Sequence, residues 1–302
     1  MRPQISIIVV SYCTREMTLD CLESIERRSG TVRREVIVVD NNSNDGSADA
    51  IAARFPGITL IRQAVNVGFA AACNLAARDA QGDYILLLNP DTLLRDRALD
   101  LLVAFARRRP GAGIWGGRTE FADGTLNPMS CWRQLTLWNL FCSGFALDTH
   151  FRRSPVFNSY AYGGWQRDTE RTVDVVSGCF LLVSKTLWDR LGGFDPEFYM
   201  YGEDADLCLR AAELGFRPAV TPEATIVHYG SGTETDKLRK MRQVLASRAL
   251  LIRKHMPMLL RPLALGLLAL RPMLGGYFAK PCLRSTWTEI WSLRGQWMAG
   301  RF

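Results

Sequence analysis

The chain has 302 residues, room for one large domain or two small ones with an ample core. Its 48% hydrophobic and 22% charged residues are ordinary for a folded globule and exclude disorder as the main state. The net charge of +7 is unevenly spread: Lys237 to Phe302 holds 13 Lys or Arg and one acid, Glu289, a balance of +12, so residues 1–236 carry −5. No charged leader, apolar run and cleavage site stand in that order at the N-terminus, which predicts a chain that stays in the cytoplasm. The eight cysteines (Cys13, Cys21, Cys73, Cys131, Cys142, Cys179, Cys208 and Cys282) lack CxxC spacing and sit mostly among apolar neighbours, the pattern of buried reduced thiols.

ISIIVV (5–10) is a continuous apolar, β-branched run, the mark of a strand buried on both faces. A helix follows, with Leu19, Leu22 and Ile25 on one stripe and Gly30 near its stop. EVIVVD (35–40) is a second buried strand and ends in the polar turn NNSNDGS. A helix over about 47–54, a short strand ITLI (58–61) and a helix FAAACNLAARDA (69–80) come next. YILLLN (84–89) is another buried strand and RALDLLVAFARR (97–108) another helix. This alternation predicts a parallel, doubly wound sheet.

From about residue 116 the pattern changes. Leu126 to Trp165 is aromatic-rich and irregular, and TVDVVSGCFLLVSK (172–185) reads as a strand pair or bent strand leading to a helix near Ser184. EDADLCLRAAELG (203–215) has helical spacing with Gly215 as its cap, and RPAVT and TIVHY read as two short strands. The basic tail reads as mostly helical. Its stretch MPMLLRPLALGLLALRPMLGGYF is interrupted by Arg261, Pro262, Arg271 and Pro272, which disfavours a bilayer crossing of ~20 apolar residues. With Trp287, Trp291 and Trp297 it fits an element lying in the interface of an anionic membrane, or a helical cap packed on the main domain. Nucleic-acid binding accounts for the basicity but not for the Leu-rich run.

Ligands of an open parallel sheet bind beyond the carboxyl ends of its strands. Those ends carry Ser11-Tyr12, Asp40-Asn41-Asn42 and Asn89-Pro90-Asp91, three polar clusters on one rim. Asp40 can accept the imide N–H of a uracil or thymine, though a lone Asp after a strand is also a common turn former. Asp91 leaves a very apolar strand at its ligand-facing end, stiffened by Pro90. A hard cation, Mg²⁺ or Mn²⁺, takes one or two carboxylates plus phosphate oxygens and neutralises a departing diphosphate. Glu203-Asp204 opens a helix, where carboxylates are favoured anyway; a carboxylate there can also take a proton from an acceptor hydroxyl. His228, on a short strand, is either structural or a further ligand that Mn²⁺ accepts.

ISIIVVSY, VDNNSNDGS, NVGFAAACN, LLLNPDT, VSGCFLLVSK and GGFDPEFYMYGEDADLCLR appear in that order over residues 4–230, and together they resemble family 2 glycosyltransferases of the GT-A fold, in particular the bacterial rhamnosyltransferase-like branch. The resemblance implies a Rossmann-like, mostly parallel sheet flanked by helices, with a helical C-terminal extension. It implies Asp40 at the donor base, with Ser11, Tyr12 and Asn42 on the same rim, and Asn66 and Gly68 in the donor-site stretch. Asn89-Pro90-Asp91 matches the DxD motif, with Asp91 as metal ligand and Asn89, in place of the first Asp, turned to the sugar or ribose. Asp204, paired with Glu203, matches the base of inverting members, and His228 a further metal ligand. Ser177, Gly178, Tyr201 and Gly202 fall to the acceptor side.

The expected organisation is a donor half (1–115) and an acceptor and catalytic half (116–236) of one GT-A domain, then a membrane-interface extension (237–302). The expected reaction moves a sugar, L-rhamnose from dTDP-rhamnose as the leading choice over a UDP-sugar, to a lipid-linked saccharide in cell-surface polysaccharide synthesis. Its place is the inner face of the cell membrane. A sugar-phosphate nucleotidyltransferase would carry a Gly-rich basic loop where this chain reads SYCTREMTLD. A catalytically silent nucleotide-sugar-binding membrane module has no need of Asp91, Asp204 and His228 together.

Overall fold

In the computed structural model, which describes residues 2–28, 30–230, 236–278 and 281–301, the ISIIVV run forms β1 (Ile5–Ser11), buried along its whole length. After it come α1 (Arg15–Arg28), β2 (Arg34–Asp40), α2 (Ser47–Arg54), β3 (Thr59–Arg62), α3 (Phe69–Asp79), β4 (Tyr84–Leu88), β5 (Thr92–Leu94), α4 (Ala98–Arg108) and β6 (Ile114–Glu120). The middle holds β7 (Leu126–Asn127), β8 (Cys131–Trp132), α5 (Leu137–Gly144), α6 (Leu147–His150), β9 (Arg171–Thr172), β10 (Val175–Val176), β11 (Phe180–Ser184), α7 (Lys185–Leu191), α8 (Glu203–Glu213) and β12 (Ala219–His228). The tail is α9 (Lys237–His255), α10 (Arg261–Phe278), α11 (Pro281–Ser292) and α12 (Arg294–Trp297).

Two compact units result: Met1–Trp132, Gln166–Tyr199 and Glu203–Thr235 form the first, and Arg133–Trp165, Met200–Gly202 and Asp236–Phe302 the second. The first is built on a sheet of order β3-β2-β1-β4-β11-β6-β12-β5, with β7 beside β6 and β9 beside β12. β3, β2, β1 and β4 are parallel, as the helical crossovers between them require. β11 then runs antiparallel to both β4 and β6, β12 returns parallel to β6, and β5 closes the edge antiparallel to β12. The sheet is therefore mostly parallel, flanked by helices, as expected. Ile7, Val9, Leu22, Ile25, Leu86 and Leu102 lie in its main core.

Two local readings need correction. The strand Ile114–Glu120 escapes pattern reading because Gly116 and Gly117 interrupt its apolar run. Those glycines are packing sites: a Cβ on Gly116 would lie 2.5 Å from Val176 Cγ1, and one on Gly117 2.1 Å from the Ala224 carbonyl oxygen. Gly117→Ala is expected to destabilise the chain by about 2 kcal/mol or more, since backbone cannot yield as a flexible side chain does. Urea denaturation checks this; an unchanged midpoint would contradict it. RPAVT and TIVHY are one strand, β12, whose register on β6 shifts between Val220 and Thr225, where Pro222 has no N–H to give. Cys13 is exposed, whereas Cys21, Cys73, Cys131, Cys142, Cys179 and Cys208 are buried free thiols; Cys282 lies outside the described side chains.

The second unit is helical, around a core that includes Leu140, Leu245, Ala249, Ile252, Leu268 and Trp297. α10 runs unbroken through Pro272, so neither proline ends it. Met258–Tyr277 is long and apolar enough to cross a membrane by length and composition, at a mean hydropathy of 1.4. Yet Arg271 turns inward, donating to the Ser143 carbonyl at 3.1 Å, and Gly144 and Gly275 let α5 and Trp287 of α11 approach α10 closely. Of the three tryptophans expected at a membrane interface, Trp297 is corrected. Trp297 is fully buried with its indole N–H on the Ile290 carbonyl, and Trp287 packs over Gly275.

Candidate active site

Ladder register brings Asp91 and His228 together across 137 residues of chain. β5 pairs with β12 so that Thr92 faces His228, and the Tyr229 N–H extends the ladder to the Asp91 carbonyl at 3.1 Å. The turn before β5 is tied by Thr92 Oγ1, which donates to the Asn89 carbonyl at 2.7 Å. Asp91 caps no helix, since α4 begins at Ala98. Its carboxylate is 4% exposed, accepts the Gly230 N–H at 3.1 Å and lies 3.4 Å from His228 Nε2.

The electrostatics follow from this pairing. Burial would raise the Asp91 carboxyl, but the hydrogen bond and charge of His228, with the Gly230 N–H, hold it below the ordinary carboxylate value. Burial likewise opposes a charged imidazole, yet Cys179 and Asp91 outweigh it and carry the His228 pKa up to about 10. Beneath the turn, burial pushes the Cys21 thiol up to about 12, so it is inert packing.

Asp91 Oδ1 meets only the ion pair with His228 Nε2 at 3.4 Å, and His228 Nδ1 is a buried atom without a well-aligned hydrogen bond among the described residues. The carboxylate oxygen suits Mn²⁺ or Mg²⁺, and His228, charged with its pKa near 10, would join Mn²⁺ only by releasing its proton. No cluster of three or more His, Cys, Asp or Glu able to hold a metal stands among the described residues, so substrate oxygens would complete the coordination. Asn89 is half-buried and held through its backbone, its N–H on the Cys179 carbonyl at 3.2 Å. Among the described residues no hydrogen bond engages its side-chain amide, which leaves it to a ligand.

That same β11 entry leads to the carboxylate pair. Gly178, just before Cys179, donates its N–H to Asp204 Oδ2 at 2.9 Å, and Ala205 donates to Asp204 Oδ1 at 2.8 Å. Asp204 therefore does take up a free N–H of its own helix start, the ordinary role for such a residue. Capping does not call for a second buried acid beside it, and Glu203 is 5% exposed with Oε2 unpartnered among the described residues. Burial, then the charge of Asp204, hold the Glu203 carboxyl well above the usual range. Burial carries Asp204 up to about 6 against its N–H donors. Two adjacent buried carboxylates with raised pKa values weaken a fold and mark a site. Asp206 is different in kind: it is ion-paired to Arg210 Nε at 2.7 Å, and Arg210 also donates to the Leu191 and Gly193 carbonyls.

The other expected residues fall into distinct settings. Ser177 is 8% exposed and its Oγ accepts the Cys179 N–H, beside Gly178. Tyr201 and Gly202, both left-handed at φ 67° and 86°, directly precede Glu203 and belong to the second unit, where Ser247 donates to the Met200 carbonyl. Asp40 is 4% exposed; Oδ2 accepts the Ser43 N–H at 3.2 Å, and Oδ1 is buried without a partner among the described residues. Tyr12 and Asn42 are exposed at the rim. Ser11 points its hydroxyl inward, fully buried against Thr14 and Thr18, so it offers a ligand no side chain.

Asn66 is a hub: Oδ1 accepts from Asn41 Nδ2 at 2.9 Å, the Gly68 N–H at 2.9 Å and the Tyr199 hydroxyl at 3.0 Å. Gly68 sits at φ 84°, and a Cβ there would meet the Tyr199 carbonyl at 2.6 Å. Sequence reasoning placed Asn41 in the rim cluster without giving it a role, and missed Tyr199 and Cys179. Asn41 had a signal, as the first polar residue past a buried strand; the other two have none outside tertiary contact.

A model of the family described as Glycosyl transferase family 2 matches residues 6–189. An N-acetylglucosaminyl-diphospho-decaprenol L-rhamnosyltransferase of Mycobacterium tuberculosis is 30% identical over 207 residues, 64% of this chain and 66% of that protein, just under two thirds of its length. Rhamnosyltransferase WbbL of Escherichia coli is 27% identical over 232 residues, 74% of this chain and 82% of its own. Among solved structures, mannosyltransferase PcManGT from Pyrobaculum calidifontis, in complex with GDP-Man and Mn²⁺, superposes with TM-score 0.59 at 18% identity, covering 99% of this chain and 86% of that one. S. aureus TarS with UDP-GlcNAc superposes with TM-score 0.57 at 15% identity over 98% and 81% of the two chains. At such identity these two speak for the fold alone. With the family model spanning more than half its length, and a GT-A-type sheet beneath, the chain belongs to glycosyltransferase family 2.

Proposed function

We propose that the chain is an inverting, metal-dependent glycosyltransferase that moves L-rhamnose from dTDP-rhamnose to a lipid-linked saccharide at the cytoplasmic membrane face. The observation that carries this reading is one strand entrance serving two groups. Gly178 holds the Asp204 carboxylate, and Cys179 next to it holds the Asn89 turn that leads to Asp91. Asp204 takes the proton of the acceptor hydroxyl, and Glu203 beside it, its carboxyl raised by burial and by the charge of Asp204, favours its neutral form. The attacking oxygen reaches the anomeric carbon opposite the leaving group, so no enzyme nucleophile is required. Asp91 and His228 are the residues to hold a divalent cation, whose chemistry is to neutralise the departing diphosphate. Asp40 Oδ1 is the acceptor for a thymine imide N–H, and Asn66 and Gly68 shape the loop beside it.

The donor and acceptor assignments rest on the relatives. The mycobacterial protein's name gives a lipid-linked N-acetylglucosaminyl diphosphate as acceptor and L-rhamnose as the sugar, and WbbL is also a rhamnosyltransferase. Thermal unfolding with dTDP-rhamnose, UDP-GlcNAc and GDP-mannose, each with Mn²⁺, tests the donor. A rise of about 5 °C is expected for dTDP-rhamnose at ~100 times its Kd. A larger rise with either other sugar nucleotide would replace the assignment.

A further inference from the structure

The second unit carries aromatic residues outside the basic tail that this mechanism does not use. On α5, Trp138 and Phe141 stack with ring centroids 5.7 Å apart, and Phe141 meets Phe145 at 4.8 Å. Beyond α6, Phe151 lies 5.0 Å from Phe157, itself 6.3 Å from Trp138. These rings form one continuous set, yet they are not a core: Trp138 is 46% exposed, Phe141 37%, Phe145 47% and Phe151 47%. Isolated exposed apolar residues need no explanation, but contiguous rings of this size mark an interaction surface.

Charge identifies the occupant. The second unit contains 16 Lys or Arg and three acids, Asp148, Asp236 and Glu289, a net +13, which leaves −6 on the first unit. Arg152 and Arg153 stand exposed beside Phe151 and line an open hollow with Thr149 and His150. Aromatic rings with an adjoining basic surface suit the boundary between lipid head groups and acyl chains. We propose that the aromatic face of α5 and the loop after α6 docks on an anionic bilayer, with the rings at the head-group boundary and Arg152 and Arg153 on lipid phosphates. This deepens the membrane-face reading above and rests on it, but moves the contact from the tail tryptophans to residues 138–153.

The test uses the full chain, because α9 to α12 supply most of the core around Leu140 and cannot be deleted cleanly. Vesicle flotation compares wild type with Phe141→Ser/Phe145→Ser/Phe151→Ser, in phosphatidylcholine vesicles with and without about one third phosphatidylglycerol. Wild type should float with the anionic vesicles, and the triple variant should lose at least about 10-fold in partition, since each ring removed takes apolar area out of the contact. Sugar transfer to a water-soluble acceptor should be unchanged and is the check on folding. A second variant, Arg152→Gln/Arg153→Gln, should weaken anionic binding alone, with less loss in neutral vesicles. Equal flotation of wild type and triple variant overturns the aromatic contact while leaving a membrane reading through the tail intact. Failure of wild type to float overturns both. A wild-type dimer in lipid-free solution that the triple variant abolishes overturns the proposal in favour of a self-association face.

Discussion

Asp204→Asn is expected to lower kcat by about 10²–10⁴-fold, the usual worth of a positioned base, while leaving donor affinity within about twofold. The amide can still accept the Gly178 N–H, so the strand entrance keeps its shape. In the native enzyme the rate should climb as pH rises through about 6, where Asp204 gives up its proton. Burial and the charge of Asp204 raise the Glu203 carboxyl as well. Stability should move the opposite way. The folded state binds these protons more tightly than the unfolded chain, so stability is greatest below the ordinary carboxylate range and falls as pH rises through about 6. The variant escapes that loss and should melt about 5 °C above wild type at pH 8, with the gap closing toward pH 4. Scanning calorimetry at the two pH values reads the gap directly. An inactive variant that is also less stable at pH 8 would make Asp204 a structural cap instead of a base.

Asp91→Ala should cost at least about 100-fold in transfer rate if, as proposed, it removes a cation ligand next to the leaving diphosphate. It also leaves the Gly230 N–H and the His228 ring without their carboxylate partner, so some stability loss is expected with it. Calorimetric titration separates the effects. Wild type with a nucleoside diphosphate should bind Mn²⁺ with one-to-one stoichiometry, and Asp91→Ala should show at least 10-fold weaker binding. Chelation of divalent ions should stop transfer by wild type, and Mn²⁺ should restore it. Tight Mn²⁺ binding by the Ala variant would move the metal elsewhere.

Much of this was legible in the chain because buried parallel strands need apolar residues on both faces. ISIIVV, EVIVVD and YILLLN could hardly be anything else, and their carboxyl ends put Asp40 and Asp91 on one rim. What was hidden depends on contacts far apart in sequence. The pairing of Asp91 with His228 comes from the β5–β12 register, and β5 has only three residues. β6 was hidden because tight packing against Val176 and Ala224 selects glycine, which carries no apolar signal. The tail's tryptophans read as membrane anchors because periodicity cannot say which side of a helix has a partner. Trp297 found one within its own unit, and the exposed rings turned out to lie in the stretch whose pattern was least readable.

The most direct test of the one-step mechanism is the anomeric configuration of the product. With dTDP-rhamnose, Mn²⁺ and a soluble saccharide acceptor, proton NMR of the isolated product should show the anomeric centre inverted relative to the donor. A product that retains the donor's configuration would contradict direct displacement with Asp204 as base.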